Sequence, residues 1–349
     1  MRPRRVVNPP ANLTRHTDFL DPSKLPGNEY TKEGRHGVVI MISIIVCTHN
    51  RAHLLPATLR ALAALEPPSE AVELVVVDNT STDETAEVVN TFAATAPFPT
   101  RYVSENRLGH SLTLNTGIAQ SQGEVLAFTD DDAEPRPNWL REMVRAFSAN
   151  QADIVFGKVV PKWETGQPAW YSDARFQGLF ALLDYGEAPF LVTQRNQPFF
   201  GVNHAVRRAV FEKFGPYRAD RGGVGTQGSQ GNDIELFERC LAGGTRIVYD
   251  PALVVSHFVP ALRATKREQR RMVQFKSETL YQWTREAFAA DVWWFGLPRW
   301  QFADALHHAW GLARETVRRD EPEAFFHELR LRRFAGLWRE ALRQHLRRT

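Results

Sequence analysis

Short apolar runs alternate with amphipathic stretches through most of the first 260 residues. Ile42-Ser43-Ile44-Ile45-Val46 reads as a strand, and Leu54 to Leu65 has helical spacing that stops before Pro67-Pro68. Leu74-Val75-Val76-Val77 is a second strand ending at Asp78, and Ser81 or Thr82 caps a helix from about Asp83 to Phe92. Arg101 to Ser104, Val125 to Thr129 and Asp153 to Val160 are further strands, with helices over Ser111 to Gln120 and Asn138 to Ser148. Phe199 to Arg208 and Ile247 to Val255 read as later sheet elements. Short β-branched strands separated by helices predict an α/β domain, with a mostly parallel central sheet and helices on both faces.

The pattern changes at both ends. Residues 1–40 are proline-rich without sustained periodicity and read as an extended arm. Residues 261–349 are rich in Arg and Trp with helical spacing, and in the last helix Leu331, Ala335, Trp338 and Leu342 share one face. Charge separates along the same boundary. Residues 261–349 carry 18 Lys+Arg against 11 Asp+Glu, whereas the first 260 carry 25 against 29. A basic tail of this kind suits packing onto the domain, or contact with an anionic membrane surface. Between the ends, Gly222 to Gly231 reads as a loop that closes over a ligand, and Trp163, Trp170, Tyr171 and Phe176 read as core. Cys47 and Cys240 form no disulfide framework or metal spacing, which suits a reducing, cytoplasmic compartment. No apolar run approaches the roughly 20 residues of a membrane-spanning helix, and no secretory signal is expected.

Three polar clusters fall at strand ends: Thr48-His49-Asn50-Arg51, Asp78-Asn79-Thr80-Ser81 and Asp130-Asp131-Asp132. In a parallel sheet these ends converge on one crevice. Three adjacent carboxylates repel one another unless a cation screens them, and carboxylate oxygen is the ligand that Mg²⁺ and Mn²⁺ prefer. Arg51 suits a phosphate, and Asp78 suits a base or ribose. Helix capping accounts for any one cluster alone. The absence of G-x-G-x-x-G and of G-x-x-x-x-G-K-[ST] disfavours a dinucleotide site and a P-loop. Basic residues confined to the tail, beside an acidic crevice, disfavour a nucleic-acid partner.

Several motifs in fixed order resemble those of family 2 glycosyltransferases. They are Ser43 to Arg51, Val77 to Asp83, Asn106-Arg107-Leu108-Gly109-His110 with Asn115-Thr116-Gly117 and Gly123-Glu124, Phe128-Thr129-Asp130-Asp131-Asp132, Gly201-Val202-Asn203 with Arg207-Arg208, and Gly231-Asn232-Asp233-Ile234-Glu235-Leu236. The resemblance covers about residues 42–260. It implies a GT-A fold and an inverting, metal-dependent transfer of a sugar from a nucleotide donor, UDP first among the candidates, to a hydroxyl of a glycan, lipid-linked or small-molecule acceptor. Residues 41–260 are then the catalytic domain, with a nucleotide half (41–135), an acceptor half (136–260) and the helical extension behind them. Asp233 is the expected base. Asp132, with Asp130 and His257, is expected to hold Mn²⁺ or Mg²⁺. Thr48, Asn50, Arg51, Asp78, Asn79, Asp130 and Asp131 are the expected nucleotide contacts. Asn203, Asn232 and Glu235 are expected on the acceptor and donor-sugar side. Asn232 departs from the family, where a Glu usually precedes the base. Arg263 and Lys266 suit the diphosphate or solvent equally. The alternatives are a nucleotidyltransferase, which would need an early glycine-rich phosphate loop, and a non-catalytic peripheral membrane protein. Localisation is expected to be cytoplasmic, with membrane contact on the cytoplasmic face of the inner membrane as the variant reading. Oligomeric state is left open.

Overall fold

The computed structural model describes residues 41–220, 231–287 and 291–346, so the arm and all of the expected lid before Gly231 lie outside the described residues. The first half runs β1 (Met41–Thr48), α1 (Leu55–Ala63), β2 (Ala71–Asp78), α2 (Thr85–Ala93), β3 (Thr100–Ser104), α3 (His110–Gln120), β4 (Val125–Asp130), β5 (Ala133–Pro135) and α4 (Trp139–Asn150). The second half runs β6 (Ile154–Trp163), α5 (Asp173–Phe176), β7 (Phe190–Leu191), β8 (His204–Arg207), α6 (Arg208–Phe214), α7 (Asn232–Ala242) and β9 (Ile247–Val259). The tail holds α8 (Lys266–Ala287), a hairpin of β10 (Trp293–Trp294) and β11 (Leu297–Pro298), α9 (Arg299–Arg318) and α10 (Glu321–Leu346).

Strands order as β3-β2-β1-β4-β8-β6-β9-β5, with β7 also on β9. The first four are parallel, and β8 enters antiparallel to both β4 and β6. In β1, Ile42, Ile44, Ile45 and Val46 are all buried, as expected for a strand covered on both faces. The switch in strand order around β1 opens a crevice at the carboxyl ends, where Thr48 pairs with Asp78 and Cys47 with Asp130.

Two features escape the sequence pattern. β5 is three residues long, yet its register sets Ala133 opposite His257. The β6–β9 ladder jumps from Phe156↔Tyr249 to Lys158↔Val254, leaving a bulge in β9. Gly157 permits that bulge, because a Cβ there would lie 2.1 Å from the Leu253 carbonyl oxygen and 2.8 Å from that of Asp250. Both obstacles are backbone and cannot rotate away. Gly157→Ala is expected to cost about 3 kcal/mol and to lower the melting temperature by about 6 °C or more, read by differential scanning calorimetry.

The expected aromatic core of the acceptor half is present. Trp170, Tyr171 and Phe176 are buried around Phe180, and α10 adds Phe325, its ring 4.9 Å from Trp170. The tail therefore packs onto the domain through the start of α10, where Glu323 also pairs with Arg175. The packed face of α10 is Phe325, Leu329, Leu337 and Ala341. The stripe of Leu331, Ala335, Trp338 and Leu342 read from the sequence is rotated away from it, and Trp338 and Leu342 are exposed.

Candidate active site

The end of β4 delivers the acidic triplet, and the β5–β9 pairing brings His257 to it. One ligand atom from each of Asp130, Asp132 and His257 lies within 4.8 Å of the others. His257 is buried and its Nδ1–H donates to the Phe180 carbonyl at 2.8 Å, which leaves Nε2 as the free nitrogen. Nε2 faces Asp132 Oδ1 at 3.2 Å. Two acceptors at that distance need a proton or a cation between them. The donor set of two carboxylates and one imidazole, with the imidazole oriented by a carbonyl behind it, fits a divalent cation.

The electrostatics divide the triplet. Burial opposes ionisation of Asp132, but His257 and Arg51 outweigh it and hold the carboxyl well below the usual range. Burial and the charge of Asp132 raise Asp130. Burial pushes Asp131 up to about 7, against the pull of Arg51. Arg51 pairs with Asp132 and with Asp131 at 3.5 Å, so it supplies counter-charge to the triplet. Thr48 is buried beside Asp131.

Asp233, in the first turn of α7, accepts from the Gly201 N–H at 2.9 Å through Oδ2, while its Oδ1 is buried and finds no hydrogen-bond partner among the described residues. A Cβ at Gly201 would sit 3.0 Å from Asp233 Oδ2, so a side chain there would press on this carboxylate. Burial, followed by the charge of Asp130, pushes Asp233 up to about 7. A carboxylate with an unpaired oxygen and a pKa near neutrality is equipped to accept a proton.

Several of the expected contacts are engaged within the protein itself. Asn203 is buried with every polar atom engaged: Nδ2 donates to the Lys158 and Leu253 carbonyls at 2.8 and 3.0 Å, and Oδ1 accepts Trp139 Nε1–H at 2.9 Å. It bridges the ladder gap left by the bulge and does not face the crevice. Asn79 spends its amide on the carbonyls of Glu105 and Arg107 and the N–H of Gly109, clamping that loop. Asn50, in the left-handed region at φ 53°, accepts Thr82 N–H at 2.7 Å and ties the β1–α1 turn to the β2–α2 turn. Glu235 is committed to Arg239 at 2.9 and 3.0 Å, and Arg239 in turn binds the carbonyls of Phe214 to Pro216. Asn232, at the start of α7 beside Asp233, is fully buried. Asp78 accepts Ser81 N–H at 3.0 Å and Tyr102 O–H at 2.6 Å, one on each oxygen, leaving a lone pair on each.

Arg263 and Lys266 separate. Lys266 pairs with Glu321. Arg263 donates to the Leu179 carbonyl at 3.4 Å, one residue before the carbonyl that orients His257, and burial lowers its pKa despite Asp132. Lys276 of α8, which no sequence signal marks, is lowered to about 8 by burial and by the charge of Arg263. Among the described residues neither Arg263 nor Lys276 forms an ion pair with a carboxylate, so the tail contributes positive charge beside the acidic triplet.

The mixed sheet, with its acidic triplet at the β4 end, is that of a GT-A glycosyltransferase. Residues 43–215, about half of the chain, match the model of glycosyl transferase family 2 and form a domain of that family. Glycosyltransferase AglE of Haloferax volcanii is 31% identical over 176 residues, covering 50% of this chain and 55% of that protein. The glucosyl-dolichyl phosphate glucuronosyltransferase of the same organism is 27% identical over 221 residues, covering 62% and 68%. The mannosyltransferase PcManGT from Pyrobaculum calidifontis, solved with GDP-Man and Mn²⁺, superposes with a TM-score of 0.54 at 21% identity, over 86% of this chain and 75% of that one. The nucleotidyltransferase and non-catalytic alternatives give way to this finding.

Proposed function

We propose that the protein is an inverting, divalent-metal-dependent glycosyltransferase that passes a sugar from a nucleotide donor, UDP-linked in the first instance, to an acceptor hydroxyl. The observation that carries this reading is the convergence of Asp130, Asp132 and His257 at the β4 end, with Asp233 near enough for the charge of Asp130 to raise its pKa. Mn²⁺ or Mg²⁺, when bound, supplies positive charge to the departing nucleoside diphosphate. Asp132 and His257 hold it, with Asp130 as third ligand or ribose contact. Arg51 and Arg263 bring further positive charge to the diphosphate. Thr48, Asp78 and Asp131 line the nucleoside side, while Asn50 and Asn79 fix the turns that carry them. Asp233 Oδ1 takes the proton of the acceptor hydroxyl as that oxygen bonds to the anomeric carbon and the bond from that carbon to the diphosphate oxygen breaks on the opposite face. One base and a direct displacement give inversion.

The dolichyl-linked substrate in the name of the glucuronosyltransferase and the nucleotide sugar bound by PcManGT support a glycoconjugate acceptor and a nucleotide donor. Among the described residues no helix is long and apolar enough to cross a membrane. Cytoplasmic placement is part of the same proposal and does not rest on that absence.

A thermal-shift panel of UDP, dTDP, GDP and CDP, each with and without Mn²⁺, tests the reading. One nucleotide at about 100 times its dissociation constant should stabilise the protein by roughly 2.7 kcal/mol, and only with metal. No shift with any of the four would sink the nucleotide-donor assignment.

A further inference from the structure

The tail exposes an apolar face that nothing in the catalytic reading uses. Six of the nine tryptophans lie in residues 261–349. Along α9, Phe302, Leu306, Trp310 and Val317 form one stripe, and along α10, Phe334, Trp338, Leu342 and Leu346 form another. The stripes are continuous, because the Phe302 ring lies 5.3 Å from Phe334 and 6.1 Å from Trp338. Leu306 is 74% exposed and Trp310 69%. A soluble protein seldom leaves an apolar face of this extent in water without a use for it.

The β10–β11 hairpin extends the same face. Its two turn residues, Phe295 and Gly296, both have positive φ, 44° and 82°. Such turns favour Asn-Gly, and a phenylalanine in the left-handed region is strained. The turn presents Phe295 at the tip, 76% exposed, beside Phe302 at 6.1 Å. Trp294 shares the tip and carries the Arg299 guanidinium over its ring at 5.7 Å.

We propose that this face is a docking surface for an anionic lipid bilayer, with Trp294 and Phe295 entering the interface and Leu306, Trp310, Trp338 and Leu342 lying along it. Tryptophan and phenylalanine on an apolar face, bordered by arginine, is the composition that an interfacial helix uses. Charge selects the bilayer over a second copy of the chain. Arg299 borders the hairpin, and Arg339 flanks the α10 stripe. Of the nearby acids, Glu315 and Glu340 are engaged by Arg314 and Arg343, and Asp291 accepts the Trp300 Nε1–H at 3.0 Å. Self-association would set the basic tails against each other, whereas an anionic headgroup layer complements the +7 of residues 261–349. A cavity of about 370 Å³ beside the hairpin, with Arg285, Trp293 and His345 in its wall, gives a headgroup room to enter. The inference stands apart from the donor assignment.

The test is co-sedimentation of the full chain with vesicles of phosphatidylcholine and phosphatidylglycerol in equal parts, at low and at high salt. Two variants accompany the wild type: Leu306→Glu/Trp310→Glu, at positions outside the core, and Phe295→Asn, which suits the turn better than the native residue. Wild type is expected to sediment with the vesicles at low salt, less so at high salt. Each variant is expected to bind at least tenfold more weakly while melting no lower than wild type. Wild type remaining in the supernatant at low salt would overturn the proposal, and so would variants that bind as wild type does. A dimer in analytical ultracentrifugation that both variants dissociate would reassign the face to a second copy, and equally overturn it.

Discussion

Asp233→Asn is expected to lower kcat by about a thousandfold while leaving metal-dependent nucleotide binding intact. Asparagine keeps the shape of the side chain and can still accept the Gly201 N–H bond, so the local fold is preserved. It cannot take a proton. A positioned general base contributes between about a hundredfold and ten-thousandfold, and here it is the sole carboxylate assigned to the acceptor hydroxyl. The wild-type rate should climb with pH and level off above about 7, following ionisation of Asp233 in the nucleotide-free protein, and the residual rate of the variant should be flat. A stability effect of opposite sense accompanies this. An unfolded Asp loses its proton near 4, whereas the folded one keeps it to about 7. The folded state therefore binds the extra proton between those values, and stability contributed at this position is full below about 4 and is lost as pH rises through 7. The variant, neutral throughout, should melt higher than wild type at pH 8 and level with it near pH 4. Turnover by Asp233→Asn at the wild-type rate would remove the base role.

The alternation of strands and helices was legible because a doubly covered parallel strand must be mostly apolar, as β1 and β2 are apart from Ser43 and Glu73, which bond to each other. The three strand-end clusters were legible for the same reason: polar residues directly after such strands gather around the crevice. What the sequence could not separate was a polar residue that faces a ligand from one that braces the backbone. Asn79 and Asn203 look alike in sequence to any ligand-binding amide, yet each is saturated by carbonyls and N–H groups that arrive from distant segments. Asn203 owes its partners to a bulge created by Gly157 and residues 250–253, and no periodicity predicts such a skip in register. For His257 the residues alone gave only a histidine near a strand end, and its metal role came from the family resemblance. Its place beside Asp132 depends on a three-residue strand that pairs across more than 120 positions. Lys276 was hidden differently: it sits among the charges of a helix that reads as solvated, and only tertiary packing turns it inward beside Arg263.

Asp132→Asn is expected to abolish the metal-dependent part of nucleotide stabilisation and to weaken Mn²⁺ binding by more than about a hundredfold. Substitution of a residue that merely orients a ligand costs between ten- and a hundredfold in metal affinity, so loss of a charged direct ligand should exceed that range. Asp132 is singled out from its neighbours by electrostatics: it is the member of the triplet held ionised by both His257 and Arg51, whereas Asp130 and Asp131 are pushed toward their protonated forms. The amide also changes what remains. Arg51 keeps Asp131 as a partner, so the turn after β4 should hold its shape. His257 keeps its bond to the Phe180 carbonyl but loses the carboxylate facing Nε2. The folded protein should therefore survive with its cation site disabled. Calorimetric titration of Mn²⁺ into the variant in the presence of the preferred nucleotide makes the measurement. Wild-type affinity in that titration would mean that the cation rests on Asp130 and His257 alone, and that Asp132 serves only to pair with Arg51.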